Sequence, residues 1–312
     1  LRIRNVKSQT LIKMKTNPFI RAMFLSLAVS GLVVSGCKKD KDDDSNTTTD
    51  PYNSDRKIMY DNSVSEISFA DASNVADEGV ARKTDPNAQS LTPLQTSCAT
   101  ITIDTVAVPH TATIVFSGTP QQPCLCNDGN YRTGTIIVSW TGKYRDPGSS
   151  HTITFDNYYL NFNKIDGTKT VTNNGPNTSG NLTFAITVQG TVVIDPQYSQ
   201  TGTGGTITYN SNRTREWIAG EPTPQWNDDV YLISGTASGT TTNGFSYSME
   251  TQSGYPLRLE VGFPHFTSGI LNITPSNKPV RSIDYSYINS ARDNLAQVTV
   301  NGFTFTIFLG KK

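Results

Sequence analysis

Beyond Cys98 the chain alternates apolar and polar residues over short runs. Ile101 and Ile103 alternate with Thr100, Thr102 and Asp104, and Ile153 and Phe155 with Thr152 and Thr154. Phe303, Phe305, Ile307 and Leu309 alternate with Thr304, Thr306 and Phe308. Successive side chains of a strand point to opposite faces, so each run predicts one buried face and one wet, Thr-rich face. Asn301-Gly302 joins two such runs with the two-residue signal of a tight hairpin, and Asp128-Gly129, Asp166-Gly167 and Asn243-Gly244 mark further turns. Neighbouring strands with no helix between them pair antiparallel, which predicts an all-β fold, a sandwich or a meander.

The pattern before Cys98 is different. Across residues 58–95 the apolar positions Ile58, Val64, Ile67, Val75 and Val80 are too irregularly spaced to mark a clear amphipathic helix. This stretch reads as a transition zone with one short helix over residues 68–80. Further on, Pro222 and Pro224 interrupt the strand pattern and suggest a soft break over residues 210–224. The β-rich part can then form one large sandwich or two lobes, 96–215 and 216–312, divided at that break. A faint internal echo agrees with it: a strand, a polar loop with Asp and Asn, and a second strand occur around Cys126-Asn127-Asp128-Gly129 and again around Arg292-Asp293-Asn294.

The N-terminal segment reads as a processing signal. Lys15 and Arg21 precede an apolar run over residues 22–34, which is shorter than the roughly 20 residues a spanning helix needs but fits the apolar region of a signal peptide. Val34-Ser35-Gly36-Cys37 is the bacterial lipobox pattern. Small residues ahead of the cysteine admit the extended chain to a narrow peptidase cleft. Cleavage between Gly36 and Cys37 would leave a thiol able to carry a diacylglyceryl thioether. Met14 opens a signal of normal length, so residues 1–13 are expected to lie upstream of the true start. The signal peptide then ends at residue 36, and residues 37–57 form an acidic, polar tether without apolar periodicity. A Lys followed by acidic residues, here Lys41-Asp42-Asp43, resembles the sorting signal of surface lipoproteins of Bacteroidota. Lys38 replaces the Asp that favours inner-membrane retention in enteric bacteria. The expected location is the outer membrane, at the cell surface, with acyl chains on Cys37 as the only prosthetic group.

Composition sharpens this picture. The sequence has 312 residues, with 26 Lys+Arg against 26 Asp+Glu, and 17% charged residues. Removing residues 1–36, which carry six basic and no acidic side chains, leaves a mature chain at −6. A mildly acidic exported domain of low charge density is a poor partner for nucleic acid. A membrane, through the anchor, and a polysaccharide or surface protein are the expected partners.

Candidate chemistry is sparse. Cys98, Cys124 and Cys126 remain after lipidation, and an exported chain can oxidise them. Cys98 can reach either of the other two across a hairpin, whereas Cys124 and Cys126 are too close in sequence to pair without strain. His110, His151 and His265 are isolated, and no metal set is expected. The run from Cys126 to Asn130 resembles the start of a calcium loop but lacks the later acidic ligands, so a turn is expected. The most distinctive polar run is Arg213-Thr214-Arg215-Glu216-Trp217, followed by Trp226-Asn227-Asp228-Asp229. Carboxylates beside tryptophans are what sugar sites use, with acids for proton transfer and ring faces for stacking. Glu216 with Asp228 or Asp229, beside Trp217 and Trp226, is therefore a candidate glycan-binding or glycan-hydrolysing set. The competing expectation is that Trp217 plugs the core while Arg215 and Glu216 pair across strands.

Taken in order, the runs beginning at Cys98, Cys126, Arg213, Asp228 and Asp284-Tyr285 resemble a group of β-rich Bacteroidota lipoproteins of unassigned function. The resemblance covers residues 58–312. The final motif of that group reads Asp-Tyr-Gly then Cys-Asp-Asn, and here Ser286 and Arg292 stand in place of the Gly and Cys. A further cysteine expected near Phe263 is absent, consistent with the loss of one disulfide. The resemblance implies location and fold class and no activity. The leading expectation is a non-catalytic binding or structural module.

Cys37→Ala should abolish acylation. Metabolic labelling with a fatty-acid analogue is the check, and a mutant that still takes up label and partitions into membranes would refute the lipobox.

Overall fold

The computed structural model describes residues 53–84, 95–199, 203–221, 228–260, 266–286 and 295–308. Cys37, the signal peptide, Trp226, His265, Phe263, Arg292, Pro222 and Pro224 lie outside them. One helix, α1 (Asn53–Thr84), precedes sixteen strands. The first eight strands are β1 (Ala99–Asp104), β2 (His110–Phe116), β3 (Gly118–Thr119), β4 (Gln122–Leu125), β5 (Tyr131–Trp140), β6 (Ser150–Leu160), β7 (Asn163–Pro176) and β8 (Leu182–Ile194). The second eight are β9 (Gly205–Ala219), β10 (Val230–Thr240), β11 (Ser246–Thr251), β12 (Leu257–Glu260), β13 (Ile270–Pro275), β14 (Arg281–Asp284), β15 (Leu295–Val300) and β16 (Phe303–Phe308).

All the strands belong to one antiparallel system. Its path runs β1-β2-β5-β6-β7-β8-β9-β10-β11-β13-β14-β15-β16, with β12 branching onto β10 and the β3–β4 ribbon onto β5. The fold is thus all-β, an open meander whose two edges, β1 and β16, do not meet. The described strands run as one continuous sheet through the expected lobe boundary. The expected boundary between residues 215 and 216 falls inside β9, which pairs along its length with β8 and β10. Asp166-Gly167 also lies within a strand, β7, rather than in a turn. Gly167, at φ 124°, sits where a Cβ would strike the β8 backbone at Gln189, so the dipeptide marks a close strand approach. The Asn301-Gly302 hairpin forms as expected, with both residues at positive φ (51° and 79°).

The largest departure from the sequence reading is α1. It spans 32 residues instead of a short helix over 68–80, and its first residues fall within the segment read as tether. Its buried positions include Ile58, Asp61, Asn62, Ser65, Ser68, Phe69, Ala72, Val75, Ala76 and Gly79. That is a helical stripe of steps three and four. Polar residues occupy several of its places, so hydrophobicity alone does not reveal the period. The helix packs against β1, β2, β5, β6, β8 and β9. Gly190 on β8 admits the Phe69 ring to a place where a Cβ would collide with it.

Charge pairs explain the polar stripe. Asp71 accepts from Arg132 Nη2 at 2.5 Å and Nε at 3.2 Å, and from the Tyr158 hydroxyl at 3.3 Å. Arg132, 0% exposed, also donates to both oxygens of Asp128 at 2.9 and 2.7 Å. Glu66 receives the Arg213 guanidinium and the Tyr209 hydroxyl, the latter at 2.8 Å. Asp61 accepts from the Thr242 amide at 2.8 Å and from Lys57 Nζ at 2.9 Å. Near the helix C-terminus Glu78 accepts from the Gln95 and Thr96 amides at 3.2 and 2.9 Å, which ties the chain entering β1 to the helix. Lys169 Nζ donates to the Phe69 carbonyl at 3.1 Å.

A disulfide joins Cys98 and Cys124, whose Cα atoms are 6.2 Å apart, and Cys126 remains a buried thiol. The bridge clips β1 to the β3–β4 ribbon. The turn after it forms as expected, the Gly129 amide donating to the Cys126 carbonyl at 2.9 Å; Asp128 engages Arg132 there.

Two stability predictions follow from the interior. Arg132→Ala strands two carboxylates in the helix–sheet contact and should cost about 3–5 kcal/mol, read as a drop in the urea midpoint at unchanged slope. The second concerns pH. Burial raises the Asp77 carboxyl to about 7 despite the nearby Lys169 and Arg215, and burial lowers Lys169 to about 8 despite Asp77 and Glu66. An acid with a raised native pKa stabilises fully below its unfolded value, about 4, and that stabilisation is lost as pH rises through 7. The depressed lysine behaves oppositely: its contribution is present above the unfolded value of roughly 10.4 and is lost as pH falls through 8. The stability of wild type relative to Asp77→Asn should therefore decline between pH 5 and pH 7.5. Parallel profiles for the two proteins would refute the assignment.

Candidate functional site

Among the described residues, which exclude Trp226, the expected sugar set does not assemble. On β9 the alternation sends Arg213, Arg215 and Trp217 inward and Thr214 and Glu216 outward. Trp217 is 7% exposed, so it offers no ring face to solvent. Its Nε1 donates to Asp229 at 3.1 Å, and the Tyr231 hydroxyl donates to the other oxygen of Asp229 at 3.1 Å. Burial raises the Asp229 carboxyl, with these two hydrogen bonds opposing the shift. Arg145 lies over the Trp217 ring at 4.7 Å and donates to the Glu221 carbonyl at 2.7 Å, closing this end of the core.

Glu216 faces the other way. It accepts from Asn177 and Asn181 amides at 2.7 and 2.8 Å, which fastens the β7–β8 turn. Asp228 is exposed and Asp229 buried. Arg215 does not pair with Glu216, because adjacent strand residues point to opposite faces. Instead Arg215 is caged by Phe184, Tyr231 and Tyr144, with its guanidinium 5.1, 4.9 and 5.8 Å from the three ring centres. The Arg-Thr-Arg-Glu-Trp run is thus a structural clamp, using alternate residues for the core and for a turn.

Two histidines, His110 and His151, are among the described residues. His110 Nδ1 lies 2.8 Å from the Ala107 carbonyl, and burial lowers the pKa of His151. Among the described residues no three His, Cys, Asp or Glu side chains gather as a metal site.

The outer face of the sheet holds a feature that strand-by-strand reading missed. Following the register from strand to strand, one row of outward side chains is polar at every step. It runs through Asp104, Thr111, Ser139, Thr152, Thr170 and Thr187 on the first six strands of the path. It continues through Asn212, Thr236, Glu250, Asn272, Ser282, Thr299 and Thr304 on the remaining seven. A neighbouring row passes through Thr168, Gln189, Asn210, Ser238, Ser248 and Thr274. Between β7 and β13 these two rows line an open trough of about 650 Å³. Some hydroxyls pair across strands, as Thr152 with Thr170 at 3.4 Å and Ser150 with Thr172 at 3.2 Å. Among the described residues no hydrogen bond engages the side chains of Gln189, Asn210 or Asn212, so the trough floor presents open donors and acceptors. The Thr excess on alternate positions signalled a wet face, but pairing of strands far apart in sequence decides which residues adjoin.

A second exposed feature lies at one end of the sheet. Phe162 stacks on Tyr198 at 3.6 Å between ring centres, and Tyr131 packs beside it at 5.4 Å. Edge strand β16 also leaves apolar surface: Phe303 is 79% and Phe305 42% exposed, contrary to the buried face its alternation predicts. An edge strand has a neighbour on one side only, and little packs over these rings.

Compared with protein-family models, with curated proteins and with solved structures, the chain matches none.

Proposed function

We propose that the protein is a lipid-anchored binding module of the outer membrane, displayed at the cell surface, that holds its ligand without converting it. The observation that carries this reading is the unbroken polar row over the trough. A sheet face needed only for solubility is satisfied by scattered charges, whereas this one concentrates hydroxyls and amides and leaves several of them unpaired. The anchor rests on the order of basic, apolar and small residues ending at Cys37. The resemblance to surface lipoproteins of Bacteroidota agrees with it.

The absence of conversion is supported by the placement of the acids. Glycoside hydrolysis needs two carboxyl groups flanking one bond. Glu216 lies outside and Asp229 inside the same sheet, so these two cannot flank a substrate, and Glu216 is engaged by Asn177 and Asn181 at the β7–β8 turn.

The test uses the full chain in mild detergent, offered panels of polysaccharides and outer-membrane proteins. Saturable binding without release of reducing ends is expected. Hydrolysis lost on Glu216→Gln would overturn the non-catalytic reading, and uniform absence of binding would leave a structural role.

A further inference from the structure

Resting on the binding-module reading, we infer that the trough binds a neutral polysaccharide lying across the strands, along the two polar rows. Three features of the site argue for this occupant.

The first is chemistry. The side chains of the rows between β7 and β13 are hydroxyls and amides with one carboxylate, Glu250. Hydroxyls and amides both donate and accept, which matches the vicinal hydroxyls of a sugar ring. Gln189, Asn210 and Asn212 sit on paired positions of β8 and β9 with no hydrogen bond to another described residue. A bound sugar therefore displaces water and not an internal partner.

The second is charge. On the central strands, Lys169 on β7 with Arg213 and Arg215 on β9 turn inward, toward the helix or the aromatic cage, and the other cation of β7, Lys164, lies near the start of the strand and does not line the trough. With no cation in the trough and a carboxylate on its wall, an anionic polymer would be repelled, and so would a phosphate- or sulfate-bearing glycan.

The third is shape. Adjacent strands lie about 4.8 Å apart, so a row crossing six strands offers roughly 24 Å of evenly spaced groups. That length suits a polymer with a short repeat better than a single small molecule. The trough holds no aromatic lining residue, so recognition runs through hydrogen bonds at the ring edges. Binding of individual units is then weak and accumulates along the chain.

The experiment is affinity electrophoresis of the full chain in gels containing neutral polysaccharides of different linkage, with an anionic polysaccharide alongside. Retardation by at least one neutral polymer is expected. Its dissociation constant should rise about tenfold in Asn210→Ala/Asn212→Ala, which removes two amides. Thr236→Trp, filling the trough from the next strand, should abolish retardation. Circular dichroism and urea midpoints equal to wild type show that the variants fold, and Thr187→Val offers a milder change should either fail. Unchanged retardation in folded variants would overturn the trough as the sugar site while leaving the binding-module reading intact. Retardation by the anionic polymer alone, or capture of a protein blocked by Thr236→Trp, would overturn the neutral polysaccharide and keep the module. No ligand of any class would sink both.

Discussion

The grip of the sheet on the helix carboxylates is what the rest of the structure depends on. Asp71 meets Arg132 across 61 residues of sequence and Glu66 meets Arg213 across 147. Each pair is backed by a tyrosine, Tyr158 for Asp71 and Tyr209 for Glu66. An open sheet of this length has one face to bury and no second sheet to bury it against. A single helix supplies the filling, and charge pairs set its position along and around its own axis. Apolar contacts alone are non-directional and would let a helix of small residues slide. Buried, hydrogen-bonded pairs with fixed geometry do not.

This arrangement also shapes the outer surface. Lys169 and Arg213 turn inward to meet the helix, and the outward positions that line the trough are left to Thr, Ser, Asn and Gln with the single carboxylate of Glu250. Polar side chains on the wet face then align into rows because antiparallel pairing places like positions opposite one another. The core and the polar outer face thus have a common origin in the alternation of each strand. On β9, for example, Arg213 turns inward to Glu66 of the helix while its neighbour Asn212 faces the trough.

The interior has its own electrostatic character. Asp77, Lys169 and Arg215 lie where burial works against charge, while Asp128, despite its own burial, is held below the usual carboxylate range by Arg132. At Asp71 burial prevails and raises the carboxyl although Arg132 and the Tyr158 hydroxyl oppose the shift.

Much of the β architecture was legible in the chain itself. Alternation at Ile101, Ile153 and Phe303, and the Asn301-Gly302 turn, are local signals, and local sterics decide strand direction and hairpin geometry. The export signal proposed to end at Cys37 rests on equally local residues, as does the availability of Cys98 for a bridge. The long helix was hidden because Asp61, Asn62, Ser65 and Ser68 occupy buried positions, and their burial depends on partners distant in sequence. Trp217 and Glu216 looked like neighbours in a site, yet the period of two places them on opposite faces, and only the core shows which face is inside. The trough belongs wholly to tertiary structure: alternation says that a side chain faces water, whereas strand register says beside which others it stands.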